Sequence, residues 1–389
     1  GRADRRRDGP EGRADRRRDR SEDETDRPRQ KEGKRMAAWE KYIRRVEPYV
    51  PGEQPQGSGI IKLNTNENPY PPSPGVAEAL AGLDPSDFRL YPDPSSGELV
   101  RALSEAYGVA PDRIFCGVGS DDVLAMCFLT FFNSGRPIRF PDVSYSFYSV
   151  WAELFGVPYE RPALDADLRI RPEDYFAAEG GVVFPNPNAP TSLLMGHDAV
   201  EEIVRQNPDC VVIVDEAYID FAADPQSASV VDLTDRYENL LVVQTFSKSR
   251  SLAGLRIGFA VGQPRLIRAL NDVKYSFNSY TMSRAALTLG AAAARDAGYY
   301  RETAAKIRAV RDEACGRFAG LGFTFPEPSA NFVFVKPAER AAADIFRELR
   351  ERKIYVRYFA QPRIDDRLRV TIGTPEQMDV LFGALKELV

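Results

Sequence analysis

Histidine is nearly absent: His197 is the only one among 389 residues. One imidazole all but excludes a histidine-based catalytic triad and rules against a multi-histidine metal site. Its neighbour Gly196 predicts a loop at the surface. Cysteine is scarce too. Cys116, Cys127, Cys210 and Cys315 are scattered, without C-x-x-C spacing and mostly beside apolar residues, so buried free thiols are expected and no zinc site or disulfide framework. No metal is expected. No apolar run reaches the ~18 residues that a membrane helix needs. The start is charged rather than apolar, unlike a secretory signal. These absences predict a cytoplasmic protein with no membrane partner.

Charge is abundant but uneven. Residues 1–35 hold 14 Lys and Arg against 10 Asp and Glu, a net +4, so the rest of the chain carries −9 of the total −5. An acidic body is a poor match for nucleic acid, and no nucleic-acid partner is expected. The octet GRADRRRD occurs at Gly1–Asp8 and again at Gly12–Asp19. With almost no apolar side chains, residues 1–35 cannot offset their ordering entropy, and a disordered charged extension is expected. Met36 opens MAAWEKYIRRVEPY and is the expected start of translation.

After Met36, short apolar runs alternate with helical patterns, the signature of βα units on a largely parallel sheet. Buried strands are expected at Arg113–Cys116, Ile138–Phe140, Gly181–Phe184, Val211–Val214, Leu241–Gln244 and Ile257–Val261. Helices are expected at Gly97–Tyr107, Asp121–Phe132, Ala199–Gln206 and Pro264–Tyr275, the third with Asp198 and Glu201 as a capping box. Near Tyr299 the pattern shifts. A long helix over Arg301–Leu321 leads into short strands at Phe323–Phe325, Asn331–Val335, Ile354–Val356 and Arg367–Ile372, with helices at Ala341–Arg352 and Pro375–Leu388. The expected division is an arm or small-domain segment over 36–75, a large α/β domain over 76–298 and a smaller α+β domain over 299–389.

Two strand ends carry the chemistry. VVIVDEAYIDF sets Asp215 beyond a Val-rich strand, and LLVVQTFSKSRSLAGLR sets Lys248 beyond another. Ligands of open α/β sheets sit outside the carboxyl ends of the strands, so both side chains can face one crevice. An amine and a carboxylate there suit pyridoxal phosphate: the lysine forms the Schiff base and the carboxylate pairs with the ring nitrogen. Thr245, Ser247 and Arg256 flank the lysine and suit a phosphate. The turn Gly117-Val118-Gly119-Ser120-Asp121-Asp122 links a strand to a helix, a second anion-attracting point.

D-E-A-Y followed by T-x-S-K and A-G-L-R resembles the fold-type-I aminotransferases. Further motifs resemble the histidinol-phosphate aminotransferase family. They are Pro48-Tyr49-Val50-Pro51-Gly52, Leu63-Asn64-Thr65-Asn66-Glu67-Asn68-Pro69, Tyr91-Pro92-Asp93-Pro94, Ser144-Tyr145-Ser146-Phe147-Tyr148, Asn186-Pro187-Asn188-Ala189-Pro190-Thr191 and Arg369-Val370-Thr371-Ile372-Gly373-Thr374. The resemblance implies a large cofactor domain, a small C-terminal domain and a homodimer. It implies that Lys248 carries the cofactor and shuttles the proton. Asp215 then meets the ring nitrogen, Tyr218 the phenolic oxygen and Tyr145 the ring face. Ser120, Asp121, Thr245, Ser247 and Arg256 hold the phosphate, and Tyr91 reaches the phosphate of the neighbouring subunit. Tyr49, Asn66, Asn331, Arg357 and Arg369 line the substrate pocket. One position departs: where the family commonly has an Asn for the phenolic oxygen, this chain has Ala189, leaving Asn188 or Asn186 as the replacement and Tyr218 with more of the load.

The reaction so implied is amino transfer from histidinol phosphate to 2-oxoglutarate. The same motifs admit an aromatic amino-acid aminotransferase or a decarboxylase of a phosphorylated amino acid. A cofactor-binding DNA regulator needs a helix-turn-helix that residues 1–35 are too short and polar to form.

Overall fold

A computed structural model describes residues 37–389. The expected extension over 1–35 and the start at Met36 lie outside the described residues. By its internal contacts the chain up to Arg45 is one unit, in whose described part Glu40–Tyr42 forms a short 3₁₀ turn. Val46–Val389 is the other.

The second unit contains β1 (Ile61–Lys62), β2 (Ile114–Gly117), β3 (Ile138–Arg139), β4 (Tyr159–Glu160), β5 (Gly181–Pro185) and β6 (Val212–Asp215). It continues with β7 (Leu240–Thr245), β8 (Gly258–Gly262), β9 (Phe332–Val335), β10 (Ile354–Tyr355), β11 (Arg357–Tyr358) and β12 (Leu368–Thr371). Seven strands form one sheet in the order β2-β8-β7-β6-β5-β3-β4. Only β8 runs antiparallel to its neighbours. Strand period sorts the side chains onto two faces. Ile213, Leu241 and Val243 pack with helices Gly119–Phe131, Phe147–Phe155 and Pro264–Phe277. Val212, Val214, Leu240 and Val242 pack with helix His197–Arg205. Both faces are covered, which is why these strands read as unbroken apolar runs.

A separate core joins Leu63 to the C-terminal elements, among them Phe318, Phe332, Ile354, Val370 and Phe382. There β11-β12-β9 form an antiparallel sheet, and β1 pairs in parallel with β10. Residues near 61–66 are thereby tied to a region almost three hundred positions away.

Several local expectations are corrected. Helix His197–Arg205 starts after Gly196 with no side-chain cap, so Asp198 lies inside its first turn and no capping box forms. Glu201 is taken instead by Tyr237 and Arg236. His197 is the first helical residue rather than a loop residue, its Nε2 2.9 Å from Asp232 Oδ1. The helix expected from Asp121 begins at Gly119. Phe323–Phe325 forms only an isolated bridge between Thr324 and Lys336. Cys116 and Cys127 are buried, Cys210 and Cys315 only partly, and all four are free.

Candidate active site

The carboxyl ends of β2, β5, β6 and β7 face the same way and surround one cavity of about 370 Å³. Ser120, Asp121, Tyr145, Asp215, Tyr218, Thr245, Ser247, Lys248 and Arg256 line it together. The antiparallel β8 has a positional consequence. Its first residue, Gly258, lies opposite Thr245, so Arg256, just upstream, arrives at the same sheet end.

Asp215 closes β6 and is 5% exposed. Its carboxylate accepts from Tyr148 Oη at 3.0 Å and from the Ala217 N–H at 3.1 Å. Burial raises its pKa to about 6, against these two hydrogen bonds. Among the described residues no cation forms an ion pair with it. A buried carboxylate without a counter-charge fits a ligand that brings an N–H cation. Lys248 is half-buried, its Nζ 3.2 Å from the Thr65 carbonyl and 5.8 Å from the centre of the Tyr218 ring.

The opposite corner fits a phosphate. Helix Gly119–Phe131 starts with no side-chain cap, leaving first-turn N–H groups open to an anion. Thr245 Oγ1 and Ser247 Oγ lie 3.0 Å apart. The Arg256 guanidinium reaches Asp121 Oδ2 at 3.0 Å and Ser247 Oγ at 3.4 Å. Arg256 takes a left-handed backbone, φ 54°, which a side chain adopts only under local constraint. Gly119 must be glycine: its φ is +84°, and a Cβ would stand 2.5 Å from Arg256 Nη2. Tyr145 Oη donates to Asp121 Oδ1 at 2.6 Å, and burial and Asp121 raise its pKa well above the ordinary value, keeping it a donor.

On the other side of Tyr218 stands a buried polar brace. Asn66 Nδ2 donates to Tyr218 Oη at 2.9 Å, Thr371 Oγ1 donates to Asn66 Oδ1 at 3.0 Å, and Asn331 Nδ2 donates to the Asn66 carbonyl at 3.0 Å. Asn66 and Asn331 are thus partners of the brace rather than lining residues. Arg369 is bonded at Nη2 to the Asn64 carbonyl, its Nε is buried without a partner, and desolvation lowers its pKa. It lies against the Phe332 and Phe359 rings, and Arg357 also lies against Phe359. Among the described residues neither arginine has an ion pair. Tyr49 stacks on Phe147 at 4.2 Å.

Asn188 is corrected. Its amide is spent on Thr191 and, across to a neighbouring segment, on the Val143 carbonyl and the Ser144 hydroxyl, while Asn186 is spent on Met195. Ala189, not either Asn, lines the cavity. Tyr91 is 79% exposed and stacks on Tyr280 at 4.6 Å, outside this chain's own cavity. Sequence reading missed Tyr148, Thr371 and the lining residues Gln54, Thr65 and Glu67. The first two carried a usable signal: Tyr148 is one helical turn from Tyr145, and Thr371 shares a strand face with Arg369.

Fold and site together define a class: the family described as aminotransferase class I and II matches residues 58–385. Histidinol-phosphate aminotransferase 1 of Bordetella parapertussis is 50% identical over 353 residues, 90% of this chain and 98% of that protein. Histidinol-phosphate aminotransferase of Pseudomonas putida is 49% identical over 347 residues, 89% and 99% of the two chains. The chain belongs to the histidinol-phosphate aminotransferase family of pyridoxal-phosphate-dependent enzymes. Among solved structures, the histidinol-phosphate aminotransferase of Sinorhizobium meliloti in complex with pyridoxal-5'-phosphate superposes with a TM-score of 0.77 at 24% identity, covering 84% of this chain and 91% of that one. The L-threonine-O-3-phosphate decarboxylase of Porphyromonas gingivalis reaches 0.69 at 18% identity, covering 84% and 98%. The fold is therefore shared across reaction types.

Proposed function

We propose that the protein transfers the amino group of histidinol phosphate to 2-oxoglutarate. One observation carries this reading: an amine, Lys248, shares a cavity with a carboxylate lacking a cation, Asp215, while a partly buried arginine lacking an anion, Arg369, lies near Tyr218 with Arg357 close to it. Bound pyridoxal phosphate supplies an aldehyde to hold the amino group and a ring to accept electrons.

The chain's own residues do the rest. Arg256, Thr245, Ser247, Ser120 and the helix start at Gly119 hold the phosphate by charge-assisted bonds. Asp215 keeps the ring nitrogen protonated. Tyr145 covers one ring face. Lys248 Nζ would hold the cofactor and, when free, would take the donor's Cα proton. Arg369 and Arg357 fix the acidic group of each substrate and so orient the bond that breaks.

A homodimer completes the reading. Phe88, Tyr91, Tyr275, Phe277 and Tyr280 are exposed aromatics that suit a subunit contact, across which Tyr91 would reach a neighbouring subunit's phosphate. Sedimentation of the purified chain as a dimer checks this. No described helix is long and apolar enough to cross a membrane, and a cytoplasmic site of action suits a small-molecule pathway enzyme. This reading assigns residues 76–298 to holding the cofactor and residues 299–389, with Arg357 and Arg369, to holding the substrate's acidic group.

The deciding experiment compares histidinol phosphate, phenylalanine, tyrosine and threonine phosphate as donors to 2-oxoglutarate by kcat/KM. Histidinol phosphate is expected to lead. A faster aromatic donor, or carbon dioxide released from threonine phosphate without glutamate, overturns the assignment.

A further inference from the structure

Tyr218 has one hydroxyl proton, and the surrounding hydrogen bonds decide where it points. Its oxygen is 2.9 Å from Asn66 Nδ2. Which end of that amide faces Tyr218 follows from the other end. The Asn66 backbone N–H donates to Thr371 Oγ1 at 3.0 Å, so the threonine hydroxyl already accepts one proton. Its own proton then has Asn66 Oδ1, at 3.0 Å, as acceptor. Turning the amide over would strand the Thr371 proton and let Oδ1 compete with the cofactor's phenolic oxygen for the Tyr218 proton. With the amide as it stands, a lone pair of Tyr218 is occupied by an N–H and its proton is free for the cavity.

The backbone is held to keep it so. Asn66 is 1% exposed and left-handed, φ 58°. Asn331 Nδ2 grips its carbonyl at 3.0 Å, while the Ile372 N–H grips the Asn331 carbonyl at 2.9 Å. A buried amide bonded at both its nitrogen and its oxygen, on a constrained backbone, has few other orientations.

Across the cavity, Ala189 offers a methyl group where an amide would donate, while Asn186 is bonded to Met195 and Asn188 to Val143 and Thr191. Resting on the cofactor assignment above, we propose that Asn66, oriented by Thr371, is a positioning residue that turns the Tyr218 proton toward the cofactor's phenolic oxygen, and that this relay stands in for the amide missing at position 189. The relay joins the C-terminal sheet, through β12, to the strand-end cluster, so the electronics of the bound cofactor depend on a hydroxyl that never touches it.

The test is spectroscopic. The visible band of the purified holoenzyme is titrated with pH for the wild type and for Asn66→Ala, Thr371→Val, Thr371→Ser, Tyr218→Phe and Ala189→Asn. Losing a donor to a phenolate raises the midpoint. Asn66→Ala and Thr371→Val are each expected to raise it by about half to one pH unit, the scale of one ordinary hydrogen bond. Thr371→Ser restores the wild-type midpoint, Tyr218→Phe raises it at least as far, and Ala189→Asn lowers it. In the Tyr218→Phe background the Asn66 and Thr371 changes have no further effect. Shifts of equal size with and without the tyrosine hydroxyl, or unmoved midpoints in variants that bind cofactor, overturn the relay. If Asn66→Ala does not fold, the Val and Ser pair at Thr371 decides alone. A wild type with a visible band and unmoved variants sinks only the relay, whereas a wild type with no band sinks the cofactor assignment beneath it too.

Discussion

Two regions of the molecule are each built around a buried or partly buried arginine, and they differ in what answers its charge. Arg250 is 4% exposed. It pairs with Asp220 at 3.2 Å, donates to Tyr107 Oη at 2.9 Å, and lies over the Phe246 and Tyr300 rings at 4.8 and 4.2 Å. Burial works against its charge, but Tyr107 and Asp220 outweigh that and hold its pKa above the ordinary arginine value. Arg369 lies between aromatic rings as well, yet among the described residues it meets one carbonyl and no carboxylate, and its pKa is lowered. Both keep an Nε without a partner, so the contrast lies in the counter-charge. An arginine supplied with its own anion is finished architecture; one left without it waits for an anion from outside. Asp215 shows the same incompleteness with the opposite sign.

If that distinction holds, changes in the open region alter catalysis and leave the fold, while changes in the closed region do the reverse. The largest separation is expected at the amine. Lys248→Ala should lower kcat/KM by on the order of 10⁴-fold or more with the urea midpoint unmoved; measurable turnover near the wild-type rate would end the assignment of Lys248. Arg250→Met should do the opposite. It strands Asp220 and should cost about 3–5 kcal/mol of stability, read as a lowered urea midpoint, while the folded fraction keeps its KM. Arg369→Gln comes next. It should lower kcat/KM by about 10²-fold, the cost of a lost bidentate charge pair, chiefly through KM, with stability unchanged or improved. A destabilised Arg369→Gln with normal KM would place Arg369 in the same class as Arg250.

The contrast also explains what was legible in the sequence. Six of the sheet's seven strands were readable, β4 being missed, because strands such as β6 and β7 are buried on both faces and open on runs of Val, Ile and Leu. Lys248, Asp215 and Arg256 were readable because parallel strands deliver their ends to one place, so short motifs sufficed. Helices Pro74–Ala81, Phe147–Phe155 and Arg284–Arg295 were not. The second is rich in aromatics, which favour strands, and the third is rich in alanine, whose small side chain marks a buried face only weakly. The Asn66 brace was out of reach for another reason. Its partners lie 152 and 305 positions away, and nothing local to NTNEN states which end of an amide will meet which hydroxyl. Asn188 misled because nothing local shows that its amide meets Val143 and Ser144, 45 and 44 positions away.

The smallest effect tests the open region in the absence of any ligand. The Asp215 carboxyl is raised to about 6 in the fold, above its ordinary value near ~3.9 in an unfolded chain. A raised carboxyl contributes stability that is fully present below about pH 4 and is lost as pH climbs through 6, because folding must then bury a charge. Asparagine at this position has no charge to bury. Apo Asp215→Asn should therefore match the apo wild type near pH 4 and become more stable than it by about 2 kcal/mol or less above pH 6, measured by denaturant unfolding across that range. Glu216, raised to about 7 by burial, is common to both proteins and cancels in the difference. Adding cofactor should close or reverse the gap, since a ring N–H gives the wild-type carboxylate the partner that the fold withholds. A gap that stays constant from pH 4 to 8 would mean that Asp215 bears no unanswered charge, and the distinction between the two regions would lose its acidic half.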